Sequence, residues 1–471
     1  MNSRQSKWVS FLAIGALALG VSACAAFKAA TPSPEAVVTV EGGVREGGEV
    51  GDRLPDAPVG PAAMTMESRS AAPPAEADYV KEAPATGAVA EGGPAVVYPP
   101  APAGDGNPIV PPDQQFFGPL QAGEIDDNAE FAAYLQYRFD YHQYLNYPVE
   151  ELDVTERHVI RVTNRDGLPV LGAQVTIADG QRTVTTLLTT ATGKVYFFPR
   201  AYPYADAPSY NVTVRKGQAS QSFTLTREQR DASWEVTLDV PRTRPPVKLD
   251  VLFLVDSTGS MSDEIEQLKD NMLSISAQIE ALPENPDVRF GLVYYRDRGD
   301  VYVVRTVDFT DNVQQFQREL MAVSAGGGDD TPESLNEALH YAVSGTHWRV
   351  DDTVSLIFLV ADAPPHLDYA QDYSYAEELL RAVQMGIKIF PIGSRLDGED
   401  FYQDQAEYIF RQMAQFTGGH FIFLTYADTP QSSGEPGTEY SVPEGRYTVE
   451  DLDALVVKLV REELAALTGQ Q

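Results

Sequence analysis

The sequence holds one cysteine, Cys24, so no disulfide can form within the chain. Basic residues are also scarce: 35 Lys and Arg face 68 Asp and Glu, a formal charge of −33 over 471 residues. So acidic a surface does not track nucleic acid phosphates, nor does it settle by charge on an anionic lipid face. The apolar stretch near the N-terminus, Trp8 to Leu19, is too short for a comfortable membrane span, and no other segment qualifies. Catalytic signatures are missing as well. There is no G-x-S-x-G elbow, no H-E-x-x-H helix and no G-x-x-x-x-G-K-[ST] loop, and the six histidines are scattered. The expectation is a binding protein and not an enzyme.

What is present divides the chain into five parts. Residues 1–23 have a basic start (Arg4, Lys7), an apolar centre and the small-residue end Val21-Ser22-Ala23, the pattern of a secretory signal. Val-Ser-Ala-Cys resembles a bacterial lipobox, which implies lipidation of Cys24 and a membrane-anchored protein of the cell envelope, on its periplasmic or cell-surface face. Fifteen of the 33 prolines fall within residues 31–112, among Ala, Gly, Val and Glu, so residues 24–120 cannot build a core and read as a disordered tether. As a flexible coil it would span on the order of 50 Å. Residues 121–150 carry an aromatic-rich helix, expected over 122–146 with Asp126 or Asp127 as its cap and packed on the domain that follows.

Residues 152–242 change period. HVIRV, AQVTI, KVYFFP, YNVTV, QSFTL and WEVTLDV are short, alternating and bounded by turn residues, as in a small antiparallel β-sandwich. DGLPVLGAQVTI and ATGKVYFF resemble the transthyretin-like or carboxypeptidase-regulatory sandwich. No metal or catalytic cluster stands out there, and the part reads as a spacer or site-free module. After a stiff TRPPVK hinge, residues 248–468 alternate strands and helices, which predicts βα units and a parallel sheet. Strands 288–297 and 301–309 are separated only by Arg298, Gly299 and Asp300, which predicts a hairpin with an antiparallel edge strand. Segment 428–447 reads as a long surface loop.

The chain is organised around VKLDVLFLVDSTGSMSDEIEQL, residues 247–268. An apolar run suited to a doubly buried strand stops at Asp256. A helix begins after Ser257, Thr258, Gly259 and Ser260, so the turn offers one carboxylate and three hydroxyls. These are hard oxygen ligands of the kind Mg²⁺ takes, at the strand end where open α/β sheets bind ligands. The glycine-rich loop AGGGDDTPESL brings Thr331 to a loop–helix junction, and the strand TVSLIFLVAD ends on Asp362. His366, four residues on, reads as a loop anchor or as part of a metal rim; Asp297, Asp329 and Asp330 are loose candidates for a base beside a metal.

DSTGS, the threonine of GGGDDTPE and the aspartate of LVADAPPH together resemble the metal-ion-dependent adhesion site of a von Willebrand factor type A domain, over roughly residues 248–468. The resemblance implies a doubly wound, mostly parallel, Rossmann-like α/β sheet with one antiparallel edge strand. It implies Mg²⁺, with Mn²⁺ or Ca²⁺ as alternatives, held by Asp256, Thr258, Ser260, Thr331 and Asp362. It also implies a protein partner that completes the site with a Glu or Asp side chain. The alternatives are an envelope scaffold with a structural metal and a metal-assisted hydrolase.

Overall fold

A computed structural model of the chain describes residues 120–229, 233–263, 265–370, 372–394, 400–425 and 450–469. The signal segment, Cys24, the tether and the loop 428–447 lie outside these residues. Strand β1 (Gln121–Ile125) leads to helix α1 (Phe131–Asp140), which continues as a π turn over Tyr141–Leu145. Seven strands follow: β2 (His158–Thr163), β3 (Gln174–Asp179), β4 (Arg182–Leu188), β5 (Lys194–Phe197), β6 (Ser209–Lys216), β7 (Ala219–Thr226) and β8 (Ser233–Thr237). Then the chain alternates through β9 (Lys248–Asp256), α2 (Ile265–Glu280), β10 (Asp287–Tyr295), β11 (Val304–Thr310), α3 (Val313–Met321), α4 (Leu335–His340), β12 (Thr353–Ala361), α5 (Tyr375–Met385), β13 (Ile387–Gly393), α6 (Asp400–Thr417), β14 (Phe421–Thr425), β15 (Glu450–Asp451) and α7 (Leu452–Thr468).

The main sheet has the order β11-β10-β9-β12-β13-β14-β1-β15. Strands β10, β9, β12, β13 and β14 run parallel, and β11 is antiparallel at one edge. The apolar run of β9 is explained by its place near the middle of this sheet. Successive side chains of a strand point to opposite faces. Val251, Phe253 and Val255 therefore join the core beneath α2, α3 and α7, while Leu252 and Leu254 join the core beneath α4, α5 and α6. Phe253 stacks between Phe316 (5.7 Å) and Phe358 (6.0 Å), which ties β9 to α3 and to β12.

The helix expected over 122–146 is corrected. Its first residues are β1, paired antiparallel to β14 from Gln121↔Thr425 to Ile125↔Phe421, with β15 added outside. Asp126 ends this strand: its Oδ1 accepts from the backbone N–H groups of Asn128 and Ala129, a local turn that competes with helix. The helix starts only at Phe131. Its aromatics pack on α6 of the α/β layer, and Phe131 also lies beneath Arg157 of the sandwich part, 3.6 Å from the guanidinium. Tyr137 and Tyr141 lie 6.0 and 4.1 Å from Tyr408, and Arg411 sits over Tyr137 at 3.8 Å while pairing with buried Asp127.

Two more differences concern the β elements. The sandwich has seven described strands, in a three-stranded sheet β5-β2-β8 and a four-stranded sheet β4-β3-β6-β7. Thr-rich β4 was not expected as a strand, and β2 and β8 pair in parallel, not antiparallel. Leu380 and Val383 of α5 pack against the sandwich core. In the hairpin, β10 ends at Tyr295 and β11 begins at Val304, so the loop is longer than the expected three residues. The reason lies in the loop's own contacts: Arg298 reaches Glu337 (2.6 Å) and Asp372 (3.1 Å), and Asp300 holds the glycine loop.

The β1–β14 seam carries a pH-sensitive clamp. His420 Nδ1 lies 2.9 Å from Glu124 Oε2 and its Nε2 lies 3.4 Å from Asp126, while Lys458 donates to Glu124 at 2.7 Å. Burial pushes the imidazole down, but bonds and charge from Asp126 and Glu124 outweigh it and raise His420 to about 9. A group raised in the folded state contributes its full stability below its unfolded value and loses it as pH rises through the folded value. Stability should therefore fall by on the order of 2 kcal/mol, after allowance for solvent screening, between about pH 6.5 and about pH 10. Denaturant unfolding of wild type and His420→Gln at both ends of this range checks it. An unchanged pH slope in the variant would contradict the clamp.

Candidate metal centre at the strand ends

Strand β9 carries two buried carboxylates, and they are treated in opposite ways. Asp250 accepts from the guanidinium groups of both Arg289 (3.0 and 2.7 Å) and Arg349 (2.9 Å), and from the backbone N–H of Arg349 (3.0 Å). Two arginines and four donors make it a satisfied structural anion. Asp256, equally buried at the other end of the strand, is held chiefly by its own turn: Thr258 donates to Oδ1 through its backbone N–H (2.9 Å) and its hydroxyl (2.7 Å), and the Tyr295 hydroxyl also acts on the carboxylate. The Oδ2 atom is buried without a partner.

The turn after β9 is built to hold this arrangement. Ser257 donates through both its N–H and its hydroxyl to the carbonyl of Tyr295 at the end of β10 (2.9 and 2.7 Å). The Thr258 hydroxyl lies 3.1 Å from Ser260 Oγ, so Asp256, Thr258 and Ser260 form one connected set. The glycine loop is stitched onto it, with Gly259 N–H donating to Gly327 O (2.8 Å) and Gly326 N–H to Ser257 O (3.0 Å). Gly328, at φ +66°, has no room for a side chain: a Cβ would lie 2.6 Å from Glu333 Oε1 and 2.9 Å from Thr258 Cβ.

Asp362 sits fully buried one residue past β12, the neighbour of β9 in the sheet, and its charge acts on Glu333. Thr331 is half-buried in the glycine loop, one residue before Pro332. Its hydroxyl makes no hydrogen bond among the described residues, so it shares the edge of the sheet without being joined to the Asp256 set.

Sequence reasoning missed Glu333. It stands two residues after Thr331, where an acid reads as an ordinary first-turn helix residue. Here it is 2% exposed, with its backbone tied to the loop after β12: its N–H donates to Pro364 O and its carbonyl accepts from His366 N–H, both at 3.0 Å. Its Oε2 is buried without a partner. Burial first, then the charges of Asp256, Asp297, Asp362 and Asp300, push its carboxyl up to about 10. Burial likewise raises Asp256 to about 6 against the Thr258 hydrogen bonds, with Asp297 adding to the rise.

Acids crowded in this way need a proton or a cation, because a buried anion without donors is costly. The donor set also suits a cation. It offers carboxylate and hydroxyl oxygens, no nitrogen or sulfur in the Asp256 set, and two unpartnered buried carboxylate oxygens. That is the chemistry of a hard divalent ion.

A doubly wound sheet with an oxygen-lined edge at the C-terminal ends of β9 and β12 defines the class. Residues 250–426 match the family model of the von Willebrand factor A domain, and this part of the chain is such a domain. Similar proteins include the alpha-protein kinase vwkA of Dictyostelium discoideum, 31% identical over 31% of this chain and 24% of its own length. Others are the human von Willebrand factor A domain-containing protein 7 (32% identical, over 31% of this chain and 15% of that one) and pig inter-alpha-trypsin inhibitor heavy chain H2 (22%, over 43% and 22%). The chain spans about a quarter or less of the length of these relatives. Domains of this family point to protein–protein interaction and often take a divalent metal.

Proposed function

We propose that the chain is a lipid-anchored bacterial envelope protein whose von Willebrand factor A domain binds a protein partner at the Asp256 edge. Mg²⁺, with Mn²⁺ or Ca²⁺ as substitutes, would be held by Asp256, Thr258, Ser260, Thr331 and Asp362, and a Glu or Asp of the partner would complete the site. The observation that carries this reading is the pair of buried, unpartnered carboxylate oxygens, Asp256 Oδ2 and Glu333 Oε2, at that edge. A bound Mg²⁺ supplies a positive charge and a position open to exchange in an otherwise acidic protein. The chain's own residues do the rest. Asp256 orients the hydroxyl of Thr258, the glycine loop closes over the turn, and surrounding loops would give specificity that one carboxylate cannot. The lipid anchor would be at Cys24, with residues 24–120 as its spacer. We read the site as one of binding and not of catalysis, although one similar protein is named as a kinase.

The test is capture of envelope proteins on the purified chain in Mg²⁺ and in EDTA. A specific partner should be retained in Mg²⁺, released by EDTA, and lost with Thr331→Ala and with amide replacements of the partner's own acidic residues. Retention through metal removal would favour the scaffold reading; substrate turnover dependent on the metal would favour the hydrolase. The same cells test the anchor: Cys24→Ser should leave the membrane fraction or stay unprocessed, and a mature variant still bound to membranes would overturn it.

A further inference from the structure

We infer a second, chemically different cation site beside the first, formed by Asp297, Asp330 and His366. Each offers one ligand atom, and these atoms lie within 4.8 Å of one another. None of the three belongs to the Asp256–Thr258–Ser260–Thr331–Asp362 set. They come from three separate segments: the β10–β11 loop, the glycine loop and the loop after β12.

His366 is the informative member. It is 4% exposed, and its Nε2 is buried without a hydrogen-bond partner. The other ring nitrogen, Nδ1, lies 2.8 Å from Asp368 Oδ1. Against that carboxylate Nδ1 is the donor, and Nε2 lies next to Asp297, whose Oδ2 is 3.6 Å away. This distance is too long for a hydrogen bond, so the ring is held near the carboxylate without bonding to it. An imidazole backed by a carboxylate, with its other nitrogen free, is the usual arrangement of a metal-binding histidine.

Everything around the ring fixes its position. Its backbone N–H donates to Glu333 O (3.0 Å) and its carbonyl accepts from Asn336 Nδ2 (2.7 Å). The ring stacks on Tyr369 at 3.8 Å, 14° from coplanar. The hydroxyl of Tyr369 in turn donates to Asp297 Oδ2 (2.6 Å), and Ser334 donates to Asp297 Oδ1 (2.8 Å). The two buried members are thus oriented by neighbouring side chains, and exposed Asp330 gives access from solvent. One imidazole nitrogen with two carboxylates suits a borderline ion such as Zn²⁺ over Mg²⁺, which prefers oxygen alone. A simple ion pair between Asp297 and a protonated His366 would not need Asp330.

The test is calorimetric titration of the metal-stripped full-length chain with Zn²⁺ in excess Mg²⁺, which keeps the oxygen-lined site filled. One Zn²⁺ per chain is expected. Asp330→Asn, a change at an exposed position that should leave the fold intact by circular dichroism, and His366→Gln should each weaken it by more than about 100-fold. Asp368→Asn should weaken it by about 10–100-fold, the effect of losing a partner that orients a ligand. Asp256→Asn should still take up one Zn²⁺ per chain, with an affinity changed only by the loss of a charge that acts on Asp297, which separates this site from the adhesion reading. No Zn²⁺ uptake in the presence of Mg²⁺, uptake unaltered in Asp330→Asn, or uptake abolished by Asp256→Asn would each overturn the inference.

Discussion

Asp256→Asn is expected to abolish Mg²⁺ binding and yet to leave the metal-free protein at least as stable as wild type. The amide can still accept, at Oδ1, the two hydrogen bonds that Thr258 gives the carboxylate, so the turn should persist. What disappears is a buried negative charge among acids. Asp256 is raised to about 6 in the folded state, chiefly by burial. As pH rises from the unfolded carboxylate range through that value, the folded protein comes to hold an ion that the unfolded chain would hold more easily, a destabilisation on the order of 3 kcal/mol near neutral pH. Asparagine removes it. Wild type should gain stability with Mg²⁺, by about 3 kcal/mol at a hundredfold excess over the dissociation constant, and the variant should not respond. Denaturant unfolding of both proteins in EDTA and in Mg²⁺ reads all four states. Equal stabilisation of the variant by Mg²⁺ would remove Asp256 from the site.

Gly328→Val should damage both the fold and the candidate metal site. The position has φ +66°, and its Cβ would fall 2.6 Å from Glu333 Oε1 and 2.9 Å from Thr258 Cβ. Neither neighbour can retreat easily, since Thr258 is bonded to Asp256 and Glu333 is tied by its backbone to Pro364 and His366. Left-handed strain and overpacking together should lower stability by about 2–4 kcal/mol and displace the Thr258 hydroxyl, so metal affinity should fall with it. Gly299→Ala is the control. That residue also has positive φ, +104°, but nothing lies within 4 Å of its Cβ. It should show the backbone strain alone and keep metal binding. Equal losses in the two variants would mean that the crowding at Gly328 is unimportant.

The α/β half was legible because its signals are local and repeated. A doubly buried strand needs a continuous apolar run, and Leu249–Val255 and Val354–Ala361 supply it; β12 falls on the residues expected. The parts that were not legible depend on partners distant in sequence. QAGEI becomes a strand because β14 leaves an edge to be covered, and five residues with two small ones carry no period of their own. Polar, Thr-rich β4 reads as loop until β3 is placed beside it. At the candidate site the contrast is similar. Asp256, Thr258 and Ser260 lie within five residues, and their connection could be read from spacing. The burial of Glu333, which turns an ordinary helix-start acid into a strongly perturbed carboxyl, is set by the loop after β12. No feature of T-P-E announces it.

The most direct measurement is the position of the ion itself. Crystals grown with Mn²⁺ as the substitute metal, at a wavelength near its absorption edge, would locate it by anomalous scattering. The expected result is a peak about 2.0–2.6 Å from oxygens of the Asp256, Thr258, Ser260, Thr331 and Asp362 set, some of them reached through water, and its loss in Asp256→Asn. A map with no anomalous density at that edge, or with density there that survives in Asp256→Asn, would contradict the assignment.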